Sequence, residues 1–264
     1  ENEIKKMETT IDVSINEDAR LFVDEMLEQL NNFSIDKTFF EKWLRQCKDW
    51  KENFPVVLPE YFKYKDGVSI YALVDAISDA IEPGNLFVPG SSGACSEVAM
   101  QAFKSKKGVR VFNSEGMGPM GFGISAALGG CVASGGKRTI CIEGDGSIQM
   151  NIQELETIVH YQFPIKLFVL SNNGYLAIKN TQQNHFGRFV GSNTESGVSF
   201  PNFFKLAKAY GIQFVKINNQ KTLLNKIDII LNAPGPFISE IMMPENQQLK
   251  TAVQTQGREL NEDK

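Results

Sequence analysis

The stretch CIEGDGSIQMNIQELETIVHYQFPIKLFVLSNNGY (141–175) holds two apolar runs, each ending in a small polar turn, GDGS (144–147) and SNNG (171–174). Short apolar runs rich in β-branched residues and bounded by such turns read as strands, and IQELETIVHYQ between them reads as a helix. A strand, a helix and a second strand of this length form a parallel pair joined by a crossover, and both strands then end at the same sheet edge. Asp145 and Asn172, 27 positions apart, are therefore expected to meet at that edge.

The same alternation runs from residue 67 onward. A helix over 68–82 precedes a strand at 85–90, and a helix over 96–106 precedes a strand at 109–112. The glycine-rich turn NSEGMGPMGFG leads into a helix over 121–134 and the strand 138–144. After the strand 165–171 and a long polar loop come a helix (201–210), a strand (212–217), a helix (220–232) and a strand (237–243). Such a pattern specifies an α/β fold, a mainly parallel sheet with helices on both faces. Upstream, TTIDVSI (9–15) reads as a short strand followed by a helix with Leu21, Phe22, Met26, Leu27 and Leu30 on its apolar face. A second helix spans 35–53, and 54–66, with two prolines, reads as a linker whose aromatics press on a surface. The expected organisation is a strand–helix remnant of a central domain (1–31), a helical linker (32–66), a cofactor-binding domain (67–243) and a polar tail (244–264).

Composition excludes several classes. A net charge of −4 without a basic block argues against a nucleic-acid surface, and no apolar run approaches the roughly 18–20 residues of a membrane span. The four cysteines show no CxxC or CxxH spacing, which disfavours zinc and fits reduced thiols in a cytoplasmic protein. An Asp carboxylate, an Asn amide oxygen and a loop carbonyl are instead hard oxygen donors that suit Mg²⁺ or Ca²⁺, with phosphate oxygens completing the shell. Gly144 and Gly146 lack Cβ atoms that would keep an anion from the backbone, and Ser147 opens a helix whose free N–H groups favour phosphate. GDGS alone is equally an ordinary turn with a capping Asp; the Asn pair at the next strand end separates the two readings.

GDGS, about 27 residues and then NN resembles the thiamine-diphosphate signature of the acetolactate synthase and pyruvate decarboxylase superfamily, and GMGPMGFGISAALGG (116–130) is similar to the family's G-x-x-G-F-G-x-x-A-A segment. The resemblance covers at least 67–243. It implies that Asp145, the Asn172 side chain and the Gly174 carbonyl hold Mg²⁺. It also implies that Gly144, Gly146 and Ser147 border the diphosphate of thiamine diphosphate, with Ser91 and Ser92 of VPGSSGA reaching the same group. Met120 matches the bulky apolar residue under the bent cofactor, and the Gly118 carbonyl would accept from the aminopyrimidine.

The resemblance further implies decarboxylation of a 2-oxo acid, pyruvate first, and ligation of the two-carbon unit to a carbonyl acceptor. Ile178 stands where the decarboxylases carry a Glu, and Ala177 and Thr181 where acetohydroxyacid synthases carry Met and Trp. Lys179, Gln182, Gln183, His185 and Arg188 of the following loop are then candidates for an acceptor site, or simply a solvated loop. In the family the activating Glu comes from an N-terminal pyrimidine-binding domain of a second chain, which implies a homodimer or homotetramer. Glu115 is the local stand-in, at a place that does not match the family's residue. The Glu start and the resemblance of 1–31 to the end of the central domain lead us to expect a C-terminal fragment, or one subunit of a split enzyme, inactive by itself. Whether FAD binds is not decided by these residues.

Two rivals remain at this stage. GMGPMG (116–121) is a literal G-x-G-x-x-G, which invites an NAD-binding Rossmann domain with Glu143 or Asp145 as ribose acid, but that reading leaves Asn172–Asn173 unused. A noncatalytic domain keeping the cofactor fold is the other. NADH binding would favour the first, and thiamine diphosphate binding without turnover the second.

Overall fold

The computed structural model describes residues 2–7, 9–34, 37–90, 93–114, 116–244 and 247. The chain divides into two compact units, Glu1–Asn53 and Phe54–Lys264. The described residues of the first form three helices, α1 (Asn2–Lys5), α2 (Ala19–Asn31) and α3 (Lys37–Asn53). Asp18 caps α2 by accepting from the Arg20 N–H at 2.8 Å, satisfying one of the orphan donors of the first turn. Within α3, Trp43 and Trp50 lie two turns apart and meet edge to face at 5.4 Å. The strand expected over 9–15 does not form; its described residues are bends and coil. A β pattern becomes a strand only against a neighbour that pairs its N–H and C=O groups, and no strand lies in the described part of this unit.

The second unit runs α4 (Ile70–Ala80), β1 (Leu86–Pro89), α5 (Glu97–Ala102), β2 (Arg110–Val111), α6 (Phe122–Ala133), β3 (Thr139–Gly144), α7 (Glu154–His160), β4 (Ile165–Ser171), α8 (Leu176–Phe186), α9 (Phe203–Tyr210), β5 (Gln213–Ile217), α10 (Leu223–Asn232) and β6 (Phe237–Met242). Its six strands form one sheet in the order β2-β1-β3-β4-β6-β5, and every neighbouring pair is parallel. The α/β reading of the sequence is what the chain adopts.

The period of two along each strand sorts the apolar residues into two layers. Ile140, Ile142, Phe168 and Leu170 face Ile70, Leu73 and Ile77 of α4 and Ile227 and Ile230 of α10. Cys141, Leu167 and Val169 face α6, α7 and α9 through Ile124, Ala127, Leu155, Ile158 and Phe203. Lys166 breaks the run in sequence yet is fully buried, because its ammonium donates to the carbonyls of Ala233 (2.5 Å) and Gly235 (2.6 Å). All four cysteines are free thiols.

The segment 54–66 packs into this unit: Leu58 and Tyr61 are buried and the Tyr61 ring stacks on Tyr71 at 4.6 Å. It then reaches α4 through Gly67, whose φ of +97° lets the Val68 N–H donate to the Met242 carbonyl at 2.8 Å. Ser69 makes no side-chain cap, and α4 borrows two: Gln220 accepts from the Ser69 N–H and Gln247 from the Ile70 N–H, each at 3.1 Å. Of the expected tail only Pro244 and Gln247 are described.

Gly67 gives a direct test of this clamp. A Cβ there would lie 2.6 Å from the Met242 carbonyl oxygen, on a backbone conformation that L-residues avoid. Gly67→Ala is expected to destabilise the unit by about 2 kcal/mol or more, read as a lower urea midpoint with unchanged slope. An unchanged midpoint would show that the clamp contributes nothing.

Candidate cofactor site

Strand order places the site. From β1 the chain steps outward to the edge strand β2 and then crosses back over β1 to β3, so the connections diverge between β1 and β3. Crevices of open α/β sheets lie outside the carboxyl ends at such a point. A cleft of about 100 Å³ opens there, lined by Gly93, Cys95, Met120 and Glu143, by Gly144–Ser147, and by Asn172, Gly174 and Tyr175 among others. The G-x-G-x-x-G at 116–121 begins well after β2, a two-residue strand at the sheet edge, and not directly at the carboxyl end of a central strand as a dinucleotide fingerprint does.

Asp145 extends the β3–β4 ladder by one residue, its N–H donating to the Leu170 carbonyl at 3.0 Å. Its carboxylate then accepts from the Gly146 N–H (2.8 Å) and the Asn172 N–H (3.1 Å). The two turns singled out in the sequence are thus joined by a direct hydrogen bond. Asn172 is also buried, and its side-chain oxygen accepts from the Gly174 N–H at 3.2 Å. Asn173 does a different job: at φ +57° it is in the left-handed region, which Asn tolerates better than most side chains, and it turns the chain directly after β4. Beyond it Gly174 bridges Asn193, and the Tyr175 N–H donates to the Ser192 carbonyl at 2.9 Å.

Asp145 is 2% exposed, and among the described residues no Lys, Arg or His pairs with it. Burial pushes its carboxyl up to about 6, against the opposing pull of the Asn172, Gly146 and Asn173 amides. The carboxylate shares its roughly four acceptor positions with the amides of Asn172, Gly146 and Asn173, and the Asn172 amide oxygen keeps a lone pair beyond its bond to Gly174. One carboxylate with amide and carbonyl oxygens is a donor set that could hold Mg²⁺. Glu143 is fully buried beside this turn, and its Oε2 lacks a hydrogen-bond partner of good geometry. Burial raises its pKa, while the Ser147 hydroxyl and the amides of Gly144, Gly123 and Ile124 oppose the rise. The carboxyl lies under the first turn of α6, where a Cβ on Gly123 would overlap Oε2.

Met120 borders the same cleft and is 40% exposed. Gly118 is not among the lining residues; at φ +53° its N–H donates to the Ser114 carbonyl at 3.1 Å. Ser91, Ser92 and Glu115 lie outside the described residues.

Three expectations need correction. Ser147 does not open an α-helix: a 3-10 turn (Ile148–Asn151) follows, and α7 starts only at Glu154. The Ser147 Oγ accepts from the Gly121 N–H at 2.9 Å. Nor is the Cβ side of Gly146 open to an anion, although its backbone still lines the cleft. The space a Cβ would need is filled by the Tyr175 ring, a contact 29 positions away that no local pattern shows. Finally, the expected loop after Gly174 contains α8. Lys179 is buried with its stem against Gly174, and Gln182 is spent on the loop that follows. Its amide group holds both polar groups of Val190 (2.9 and 3.1 Å), and its oxygen also accepts from the Ser192 hydroxyl (2.8 Å). Neither these two nor Gln183, His185 and Arg188 line the cleft, whereas Ala177 and Ile178 do. Tyr175, Cys95 and Asn151 were not singled out by the sequence.

The buried carboxylate makes stability depend on pH. The folded-state value of about 6 lies above the usual 3.8, so the folded form holds the proton more tightly than the unfolded chain. Without divalent cation, this contribution is fully present below about pH 4 and is lost as pH rises through about 6, a difference of about 2–3 kcal/mol. Urea unfolding in EDTA is expected to show that slope in the native chain and a flatter one in Asp145→Asn. Parallel profiles would rule out Asp145 as its source.

Comparison with known proteins agrees with the geometry. Residues 91–241 match the family of the thiamine pyrophosphate enzyme, C-terminal TPP binding domain. The chain is 30% identical to the acetolactate synthase large subunit of Cyanidium caldarium over 240 residues, covering 89% of this chain and 39% of that protein. It is 33% identical to the acetolactate synthase isozyme 3 large subunit of Escherichia coli (strain K12), covering 83% and 37% respectively. With acetolactate synthase 2, chloroplastic, of Zea mays the identity is 29%, covering 93% and 39%. The chain therefore spans about two fifths of the length of the curated relatives it matches. No described helix is long and apolar enough to cross a membrane. A matched family covering β3, β4 and the cleft between their ends leads to one conclusion: this chain belongs to the thiamine pyrophosphate enzymes, through their C-terminal cofactor-binding domain.

Proposed function

We propose that the chain is the cofactor-binding domain of a Mg²⁺-dependent enzyme that decarboxylates a 2-oxo acid, pyruvate first, and ligates the two-carbon unit to a carbonyl acceptor, as acetolactate synthases do. The observation that carries this reading is the buried Asp145 carboxylate, bonded to Asn172 and without a cationic side chain beside it among the described residues. A carboxylate so placed is costly unless a cation joins it.

In this reading Asp145, the Asn172 amide oxygen and the Gly174 carbonyl hold Mg²⁺, and Gly144, Gly146 and Ser147 border the diphosphate. The amide bonds to Asp145 fix the direction of its remaining lone pairs, so the ligand is oriented before the cation arrives. Thiamine diphosphate, when bound, would supply the nucleophilic and electron-accepting ring carbon that decarboxylation of a 2-oxo acid needs. Met120 gives the pyrimidine end an apolar wall, with Gly118 on the same loop as the candidate hydrogen-bond acceptor. Ile178, at the cleft, places an apolar side chain where a carboxylic acid would protonate and release an aldehyde, and this favours ligation over release. A pyrimidine-binding domain of a second chain is proposed to supply the activating acid, in a homodimer or homotetramer.

Calorimetric titration of thiamine diphosphate into the chain with Mg²⁺ tests the metal assignment. Asp145→Ala and Asn172→Ala are each expected to weaken binding by about tenfold or more, as loss of a charged or chelating donor should. Unchanged affinity in both variants would sink it. For the chemistry, labelled pyruvate with a panel of aldehyde and ketone acceptors should give ligated product wherever there is turnover. Acetaldehyde as the main product would mean plain decarboxylation.

A further inference from the structure

Gly121 is the N-cap of α6, at φ +83°, and both of its backbone polar groups are held by residues of the turn after β3. Its N–H donates to the Ser147 Oγ at 2.9 Å, and its carbonyl accepts from the Asn151 Nδ2 at 3.1 Å. The Asn151 oxygen in turn accepts from the Gln153 amide at 3.4 Å, which aims the Asn151 donor at Gly121. The fit is tight, since a Cβ on Gly121 would lie 2.8 Å from both the Asn151 Nδ2 and the Met150 Cβ. The residue before this clamped glycine is Met120, on the cleft.

We infer that Asn151 is a positioning residue that fastens the Met120 wall to the diphosphate turn, so that the two ends of the bound cofactor are held in fixed relation. The inference rests on the functional reading above. The bonds that shape the turn at Asp145 run to Leu170, Gly146, Gln149, Asn172 and Asn173, and among the described residues none of them involves Asn151. Loss of the Asn151 donor should therefore leave the diphosphate end intact. It frees the Gly121 carbonyl and, with it, the loop that carries Met120. A residue needed only for folding would not separate the two ends in this way.

The test compares two probes by calorimetry on the whole chain with Mg²⁺: inorganic diphosphate, which reaches only the turn, and thiamine diphosphate, which also reaches Met120. The native chain is expected to prefer thiamine diphosphate. Asn151→Ala, and Asn151→Leu, which keeps the bulk but carries neither donor nor charge, should bind diphosphate within about twofold of native. Both should lose about five- to tenfold in thiamine diphosphate affinity, the scale of one hydrogen bond. Thermal unfolding of both variants establishes that they are folded. An unchanged preference, or an equal loss for both probes in a folded variant, overturns the inference and leaves the functional reading standing. A native chain that binds neither probe overturns the functional reading, and this inference with it.

Discussion

The structure turns on one unfavourable act, the burial of the Asp145 carboxylate at the end of β3. Its side chain is 2% exposed, and the described residues offer it backbone amides but no positive charge. Amide hydrogen bonds recover part of the lost hydration, but burial outweighs them and pushes the carboxyl up to about 6. A fold optimised for stability alone would place an amide or an apolar residue there. Under the proposed function, a divalent cation bound at Asp145 would offset that cost.

Everything around Asp145 serves to hold it still. The parallel ladders of β1, β3, β4 and β6 are packed by apolar layers on both faces and bring their carboxyl ends to one edge. The crossing of the chain from β2 back to β3 leaves the crevice open between β1 and β3. Tyr175 closes over Gly146 from the far strand end, and Gln182 of α8 latches the loop whose Ser192 carbonyl receives the Tyr175 N–H. On the other side the Ser147–Gly121–Asn151 contacts tie the same turn to α6. The turns at the ends of β3 and β4 are thus braced from both sides, while Met120 and Ile178 stand partly exposed at the mouth of the cleft.

The sheet and the meeting of Asp145 with Asn172 were legible in the sequence because both depend on short-range signals: apolar runs, glycine turns and the length of one crossover. What was missed depended on partners. TTIDVSI has a strand's composition but no neighbour to pair with, and it stays irregular. The helix α8 has polar residues on nearly every side and buries only Leu176 and Lys179, so it carries no period to read, although Gly187 at φ +63° is a stop signal visible in retrospect. The Asn pair looked like one signal and is two, a ligand candidate at 172 and a backbone turn at 173. The contact of Tyr175 with Gly146 and the hold of Asn151 on Gly121 join residues about thirty positions apart, and only the fold brings them together.

The central claim is that the carboxyl ends of β3 and β4 form a hard-oxygen cation site that anchors a diphosphate. A crystal of the chain grown with Mn²⁺ and thiamine diphosphate, measured at the manganese absorption edge, addresses it directly. The account predicts one anomalous peak within about 2.5 Å of an Asp145 carboxylate oxygen and of the Asn172 side-chain oxygen, with the diphosphate against residues 144–147. Diphosphate bound elsewhere, or a manganese peak away from both side chains, would contradict it.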